Sequence, residues 1–138
     1  MNKKFLKLEL DLDFCLIAII SPLKGYRLCF LINKFLSTNF ERTALDYCLS
    51  YPNTKSKYFS QFYCTSTNDT DCYILSNKGA EGYLIPEMKQ IDYFILLRHF
   101  CDKEELEFIL ERLKRIKEIQ MAIEINPSSL KSKENLIF

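Results

Sequence analysis

The densest group of chemically capable side chains lies in the run Ile85-Pro86-Glu87-Met88-Lys89-Gln90-Ile91-Asp92-Tyr93. Pro86 fixes φ for a turn and removes a backbone donor, and Glu87 can accept hydrogen bonds within that turn. Asp92 stands inside an otherwise apolar stretch, where a carboxylate is expensive unless it is paired. Arg27, Arg98 and the N–H groups of the turn are its candidate partners, and Tyr93 puts a hydroxyl beside it. Two readings follow. Glu87, Asp92 and Tyr93, with Arg27, form a ligand site, or they form a structural pin that locks turn to strand. The pin is preferred, because structural networks perturb carboxylates as well as functional ones do.

Other constellations offer less chemistry. Asp11 and Asp13 would point to the same side of a strand and could share a divalent cation, but a carboxylate pair without further oxygen ligands is a poor cation site. A solvated strand face is the preferred reading. His99 and Cys101 would need a third, orienting group to act as base and nucleophile. The sequence holds no Walker lysine loop, no G-x-G-x-x-G and no G-x-S-x-G, and its three glycines leave no phosphate-cradling loop. Six cysteines, at 15, 29, 48, 64, 72 and 101, contain no C-x-x-C pair, and a single histidine cannot complete a Cys/His zinc set with them. Most sit among apolar neighbours, as in Phe14-Cys15-Leu16 and Leu28-Cys29-Phe30, so they are expected to be reduced and buried. No catalytic residue, metal or cofactor is expected.

The elements that must position these side chains can be outlined from periodicity. Leu6, Leu8, Leu10 and Leu12 alternate with charges and predict a half-buried first strand. Phe14 to Ile20 is apolar without clear period and is expected to be a short buried helix, with a continued strand as the alternative. Leu23 to Ser37 has helical spacing. Residues 50–57 are loop chemistry, with Pro, Asn and Ser together. Strands are expected at Tyr58 to Cys64 and Cys72 to Leu75, joined by a polar connection, and a third short one at Tyr83-Leu84-Ile85. Gln90 to Phe100 suits a central strand covered on both sides. Asp102 and Glu105 make a capping box for a helix with Leu106, Ile109, Leu110, Leu113 and Ile116 on one face. Met121, Ile123 and Ile125 alternate with polar residues in a last strand. The apolar end, Leu136-Ile137-Phe138, should dock on the body or on a partner. The pattern predicts residues 1–138 as one α+β domain: an antiparallel or mixed sheet of about five strands with two or three helices on one face.

Within the Ile85–Tyr93 run the sequence also resembles the IPExxxVDY family of small bacterial proteins, with Ile85, Pro86, Glu87, Asp92 and Tyr93 matching and Ile91 in place of the valine. Tyr26-Arg27-Leu28 leading to Asn33, and the ending Leu130 to Phe138, are similar to that family too. The resemblance implies a single-domain cytoplasmic protein of Bacteroidetes type and supplies no activity.

Composition narrows the function classes. With 138 residues the chain can bury about two thirds of its surface without staples. Nineteen basic against eighteen acidic residues give a net charge of +1, with no strong pull towards nucleic acid or anionic lipid. Charges at Lys7, Glu9, Asp11 and Asp13 interrupt the stretch a signal peptide requires, so a cytoplasmic protein without membrane contact is expected. A non-catalytic binding or assembly protein is the leading expectation, with a protein partner or a homodimer. The docked tail and the strand carrying Tyr58, Phe62 and Tyr63 are the candidate contact surfaces. The alternative is an RNA-binding module that uses those aromatics with Lys55 and Lys57. An enzyme acting through Glu87 and Asp92 comes third.

Overall fold

Isoleucines at 17, 19 and 20 are stiff at χ1 and pack well on a pleated surface. In the computed structural model, which describes residues 14–65, 70–98 and 102–136, Phe14–Ile20 is accordingly a strand, β1, and not the short helix expected. It is buried on both faces and hydrogen-bonded along both edges, a setting in which a continuous apolar run needs no period. The first strand expected at Leu6 to Leu12, with Asp11 and Asp13, lies outside the described residues, as do His99, Cys101, Ile137 and Phe138.

Helix α1 spans Gly25–Leu36 and ends where Ser37 adopts a left-handed conformation and returns its N–H to the Asn33 carbonyl. Short strands β2 (Glu41–Arg42), β3 (Tyr47–Leu49) and β4 (Lys57–Phe59) precede β5 (Gln61–Thr65) and β6 (Asp71–Ser76). The single strand expected from Tyr58 to Cys64 is thus divided at Ser60. Its first part pairs with β3 and its second with β6 and β2, so Phe59 and Phe62 enter different cores. A two-residue ribbon follows, β7 (Lys78–Gly79) with β8 (Gly82–Tyr83); Leu84 and Ile85, expected to extend a strand, leave it for the turn at Pro86–Met88. A Cβ on Gly79 would lie 2.7 Å from the Tyr58 carbonyl oxygen, so only glycine lets β7 cross β4 this closely. Strand β9 is Tyr93–Arg98, helix α2 is Lys103–Lys114 and strand β10 is Met121–Ile125. Asp102 caps α2 as expected, accepting the Glu105 N–H at 2.8 Å.

The fold is α+β. Six strands form one antiparallel sheet in the order β10-β1-β9-β6-β5-β2, one more than the sequence suggested, and two ribbons lie outside it. Both α-helices cover one face. Ile17, Ile19, Ile74, Ile95 and Leu97 meet Leu28, Ile32, Leu106 and Leu113 there. The other face has no α-helix among the described residues. Leu16, Ala18, Leu75, Phe94 and Leu96 are covered instead by Leu49 and Phe59 of the β3-β4 ribbon, by Leu84, Ile85 and Ile91, and by Leu130 and Leu136 of the C-terminal turns. On β10 the expected inward row is split: Ala122 enters the helix-side core, Met121 and Ile125 pack on the opposite side, and Ile123 is exposed on an edge strand.

Leu136 is fully buried among these covering segments, so the C-terminal segment docks on the body as far as Leu136. Leu136→Ala is expected to cost about 2–5 kcal/mol, the usual range for a buried leucine, read as a lowered urea midpoint with an unchanged slope.

Candidate functional site

The Ile85–Tyr93 segment is organised by a residue that precedes it in the chain, Asn77. Asn77 is fully buried. Its amide nitrogen donates to the carbonyls of Met88 (2.9 Å) and Ile91 (2.8 Å), and its side-chain oxygen accepts the Ile85 N–H at 2.8 Å. Its own N–H donates to the Asp92 carbonyl and its carbonyl accepts the Leu84 N–H. A turn that would otherwise bury unpaired backbone groups is thereby satisfied. A buried asparagine and a solvated turn asparagine look the same in a sequence.

Asp92 precedes β9 and is held by partners other than those expected. Its carboxylate accepts the Ser21 N–H at 2.9 Å and pairs with the Lys78 ammonium at 2.8 Å. The Lys78 pKa is raised by that hydrogen bond and by the charge behind it. Arg27 is exposed on α1 with its guanidinium 5.9 Å from the Phe30 ring centre, and Arg98 sits at the opposite end of β9. Asp92 therefore fastens the end of β1, not the Ile85–Met88 turn. Tyr93 donates its hydroxyl to the Leu23 carbonyl at 2.6 Å, fixing the entry to α1. Burial, and then the neighbouring Asp92 charge, push its phenol pKa up.

Glu87 belongs to a separate network. It accepts both the N–H and the hydroxyl of Ser132, each at 2.8 Å, and so ties the turn to the C-terminal segment. Partial burial would raise its pKa, but these two donors, with the N–H groups of Glu87 itself and Lys131, hold it below the ordinary value. Asn135 completes the tie: its amide donates to the Leu84 carbonyl at 2.7 Å, while the hydroxyls of Tyr47 and Tyr51 donate to its backbone and side-chain oxygens. The carboxylates of Glu87 and Asp92 are thus both engaged by donors of the fold, and they share no partner.

The three aromatic residues expected to form one surface do not share one. Phe62 is buried in the helix-side core, Tyr58 is exposed on β4, and Tyr63 points to the opposite face of the sheet from Phe62. Its hydroxyl bonds to Asp71 and Thr65, each at 2.7 Å, and its ring centre lies 5.1 Å from that of Tyr73.

The helix-covered face opens into a cavity of about 330 Å³ between the end of α1, the β5-β6 hairpin and the first half of α2. Leu36, Phe40, Ile95, Leu97, Phe108 and Ile109 supply its apolar wall, and Glu105 is the one acidic side chain among the described residues that line it. Asn33 shapes the rim: its oxygen accepts the Phe40 N–H (2.8 Å) and the Thr38 hydroxyl (2.9 Å), and its nitrogen donates to the Phe40 carbonyl (3.0 Å). Cys64 and Cys72 lie in the wall, opposite each other in register. Beneath them Cys29 donates to the Phe40 carbonyl, and burial pushes its thiol up to about 11. Of the five described cysteines Cys29, Cys64 and Cys72 are buried as expected, Cys15 is half-buried, and Cys48 is exposed because it lies on the short β3 ribbon outside the main sheet. That two of them would meet at the cavity is legible after the fact, since the two expected strands end and begin on Cys64 and Cys72. The wall itself has no local signal.

Asn77→Ala is expected to cost about 3 kcal/mol or more in urea unfolding, because it strips side-chain partners from the buried Ile85 N–H and Ile91 carbonyl and one of two partners from the half-buried Met88 carbonyl. Glu87→Ala and Asp92→Ala should each cost less and, without a shared partner, add to within about 0.5 kcal/mol. Glu87, with its folded pKa below its unfolded value near 4.5, adds stability at higher pH that is lost as pH falls through the folded pKa. The stability difference between wild type and Glu87→Gln should therefore hold at neutral pH and vanish on acidification below the ordinary glutamate range.

No family model matches this chain, and no curated protein or solved structure matches it either.

Proposed function

We propose that the chain is a non-catalytic binding protein of the cytoplasm that holds a small apolar molecule in the cavity under α1 and α2, and that it is a member of the IPExxxVDY family its Ile85–Tyr93 segment resembles. The cavity carries this reading. At about 330 Å³ it falls at the lower end of the usual range for ligand pockets, and it combines an apolar wall with a few polar groups at the rim. It has room for roughly eleven waters at ~30 Å³ each, hence for a ligand with a comparable number of heavy atoms. Glu105 makes an anionic ligand a poor fit.

Three features weigh against catalysis by the motif residues and against an RNA platform. Glu87 and Asp92 are occupied by Ser132, Ser21 and Lys78. Phe62 is inside the core. The net charge of +1 offers little to a phosphate backbone. Among the described residues no helix is long and apolar enough to cross a membrane. Assembly with a protein partner or as a homodimer keeps one specific observation, Tyr26 and Phe30, a helical turn apart on α1 and 71% and 56% exposed. A sedimentation coefficient that rises with concentration would favour that second reading.

The test of the cavity is a titration with indole, a neutral aromatic probe, followed by amide chemical shifts. Shifts confined to Cys64, Cys72, Phe108 and their neighbours are expected, and Ile109→Trp, which fills the cavity, should weaken them at least tenfold while the protein stays folded. Absence of shifts at millimolar indole, or shifts indifferent to Ile109→Trp, would overturn the reading.

A further inference from the structure

Cys64 and Cys72 enter the sequence as two of six dispersed thiols, and the β5-β6 hairpin makes them cross-strand neighbours. Their side chains share the helix-facing side of the sheet, each residue is 7% exposed, and both line the cavity. The Ser76 N–H bond to the Ser60 carbonyl (3.0 Å) sets the phase of this ladder. Stepping by two residues from it, Cys64 and Cys72 form a hydrogen-bonded pair, at which opposing Cα and Cβ atoms stand about 5.5 Å apart. A direct S–S bond requires Cβ atoms about 3.8 Å apart, so it would need the two strands to close by more than an ångström. One atom placed between the sulfurs spans the wider gap without moving the ladder.

We propose that Cys64 and Cys72 form a dithiol site that captures a single thiophilic atom, a soft metal ion or a trivalent metalloid, bridged between the two sulfurs, with any apolar substituent of that atom lying in the cavity. The proposal rests on the reading of that cavity as a ligand site. Paired thiolates select soft centres over hard ones. Two sulfurs are the donor set the described residues bring together here. The Cys72 thiol and the Asn39 N–H, acting against burial, hold the Cys64 pKa below the ordinary thiol value, which favours the thiolate that a soft centre binds. With an organoarsenic(III) oxide the step balances without an oxidant: two S–As bonds form, the As–O bonds break, and the oxygen leaves as water with the two thiol protons. A monovalent soft ion instead displaces both protons and leaves an anionic bis-thiolate.

The test uses the full chain, reduced and anaerobic, with phenylarsine oxide in one arm and Cu(I) buffered by bicinchoninate in the other. One phenylarsenic per chain is expected by intact mass, resistant to excess monothiol and released by dithiothreitol. Cys64→Ser and Cys72→Ser should each abolish it, and Cys48→Ser, which removes an exposed thiol on β3, should leave it intact. Cys64→Ala and Cys72→Ala, checked for folding by circular dichroism, replace any serine variant that fails to fold. Capture of the arsenical alone identifies a substituted metalloid as the fitting ligand, capture of Cu(I) alone identifies a bare ion, and either supports the site. No 1:1 capture in either arm, or capture that survives loss of Cys64 or Cys72, overturns it. Indole binding without capture would overturn the dithiol while sparing the cavity; capture without indole binding would do the reverse.

Discussion

One carboxamide, that of Asn77, is the constraint on which the side of the molecule away from α1 and α2 depends. The chain from Leu84 to Asp92 leaves the sheet, turns through Pro86–Met88 and returns as β9, so its inward backbone groups have no ladder partners. Asn77 supplies three hydrogen bonds from its side chain and two from its backbone to that segment. An unmet buried amide or carbonyl costs the full desolvation of the group, so this single side chain offsets a penalty the apolar contacts alone could not. Leu84, Ile85 and Ile91 can then lie flat on the sheet as its cover.

The two faces of the sheet are held by different physics. On one, two amphipathic helices bring contiguous apolar stripes, and burial of area suffices. On the other, the cover is made of short pieces, each too small to bury much area, and polar ties set their places. Glu87 holds Ser132, Asn135 holds Leu84, and Asp92 holds Ser21 and Lys78. The residues of the motif that first suggested a ligand site thus serve to join segments far apart in the chain. On the helix-covered face, where Asn33 props the 37–40 segment against the sheet edge, the fold encloses space instead of filling it.

The sequence by itself determined what depends on neighbours within a few positions. Helix α1 and helix α2 with its Asp102 cap followed from spacing alone, as did the central strand buried on both sides at β9, the last strand at β10 and the α+β class. It also marked Glu87, Asp92 and Tyr93 as residues with costs to be met, because a carboxylate or hydroxyl in an apolar run must find partners. Tertiary structure decided who those partners are. Ser21 lies 71 residues from Asp92 and Ser132 lies 45 from Glu87, separations over which no local rule operates. It also decided that Phe14–Ile20 is a strand, because an apolar run without period takes the conformation its neighbours' hydrogen bonds reward, and here β9 and β10 bond it on both edges. The break at Ser60, the buried role of Asn77 and the meeting of Cys64 with Cys72 at a cavity share that cause: each is fixed by which strands pair and in what register, and a register is a property of two segments that neither carries alone.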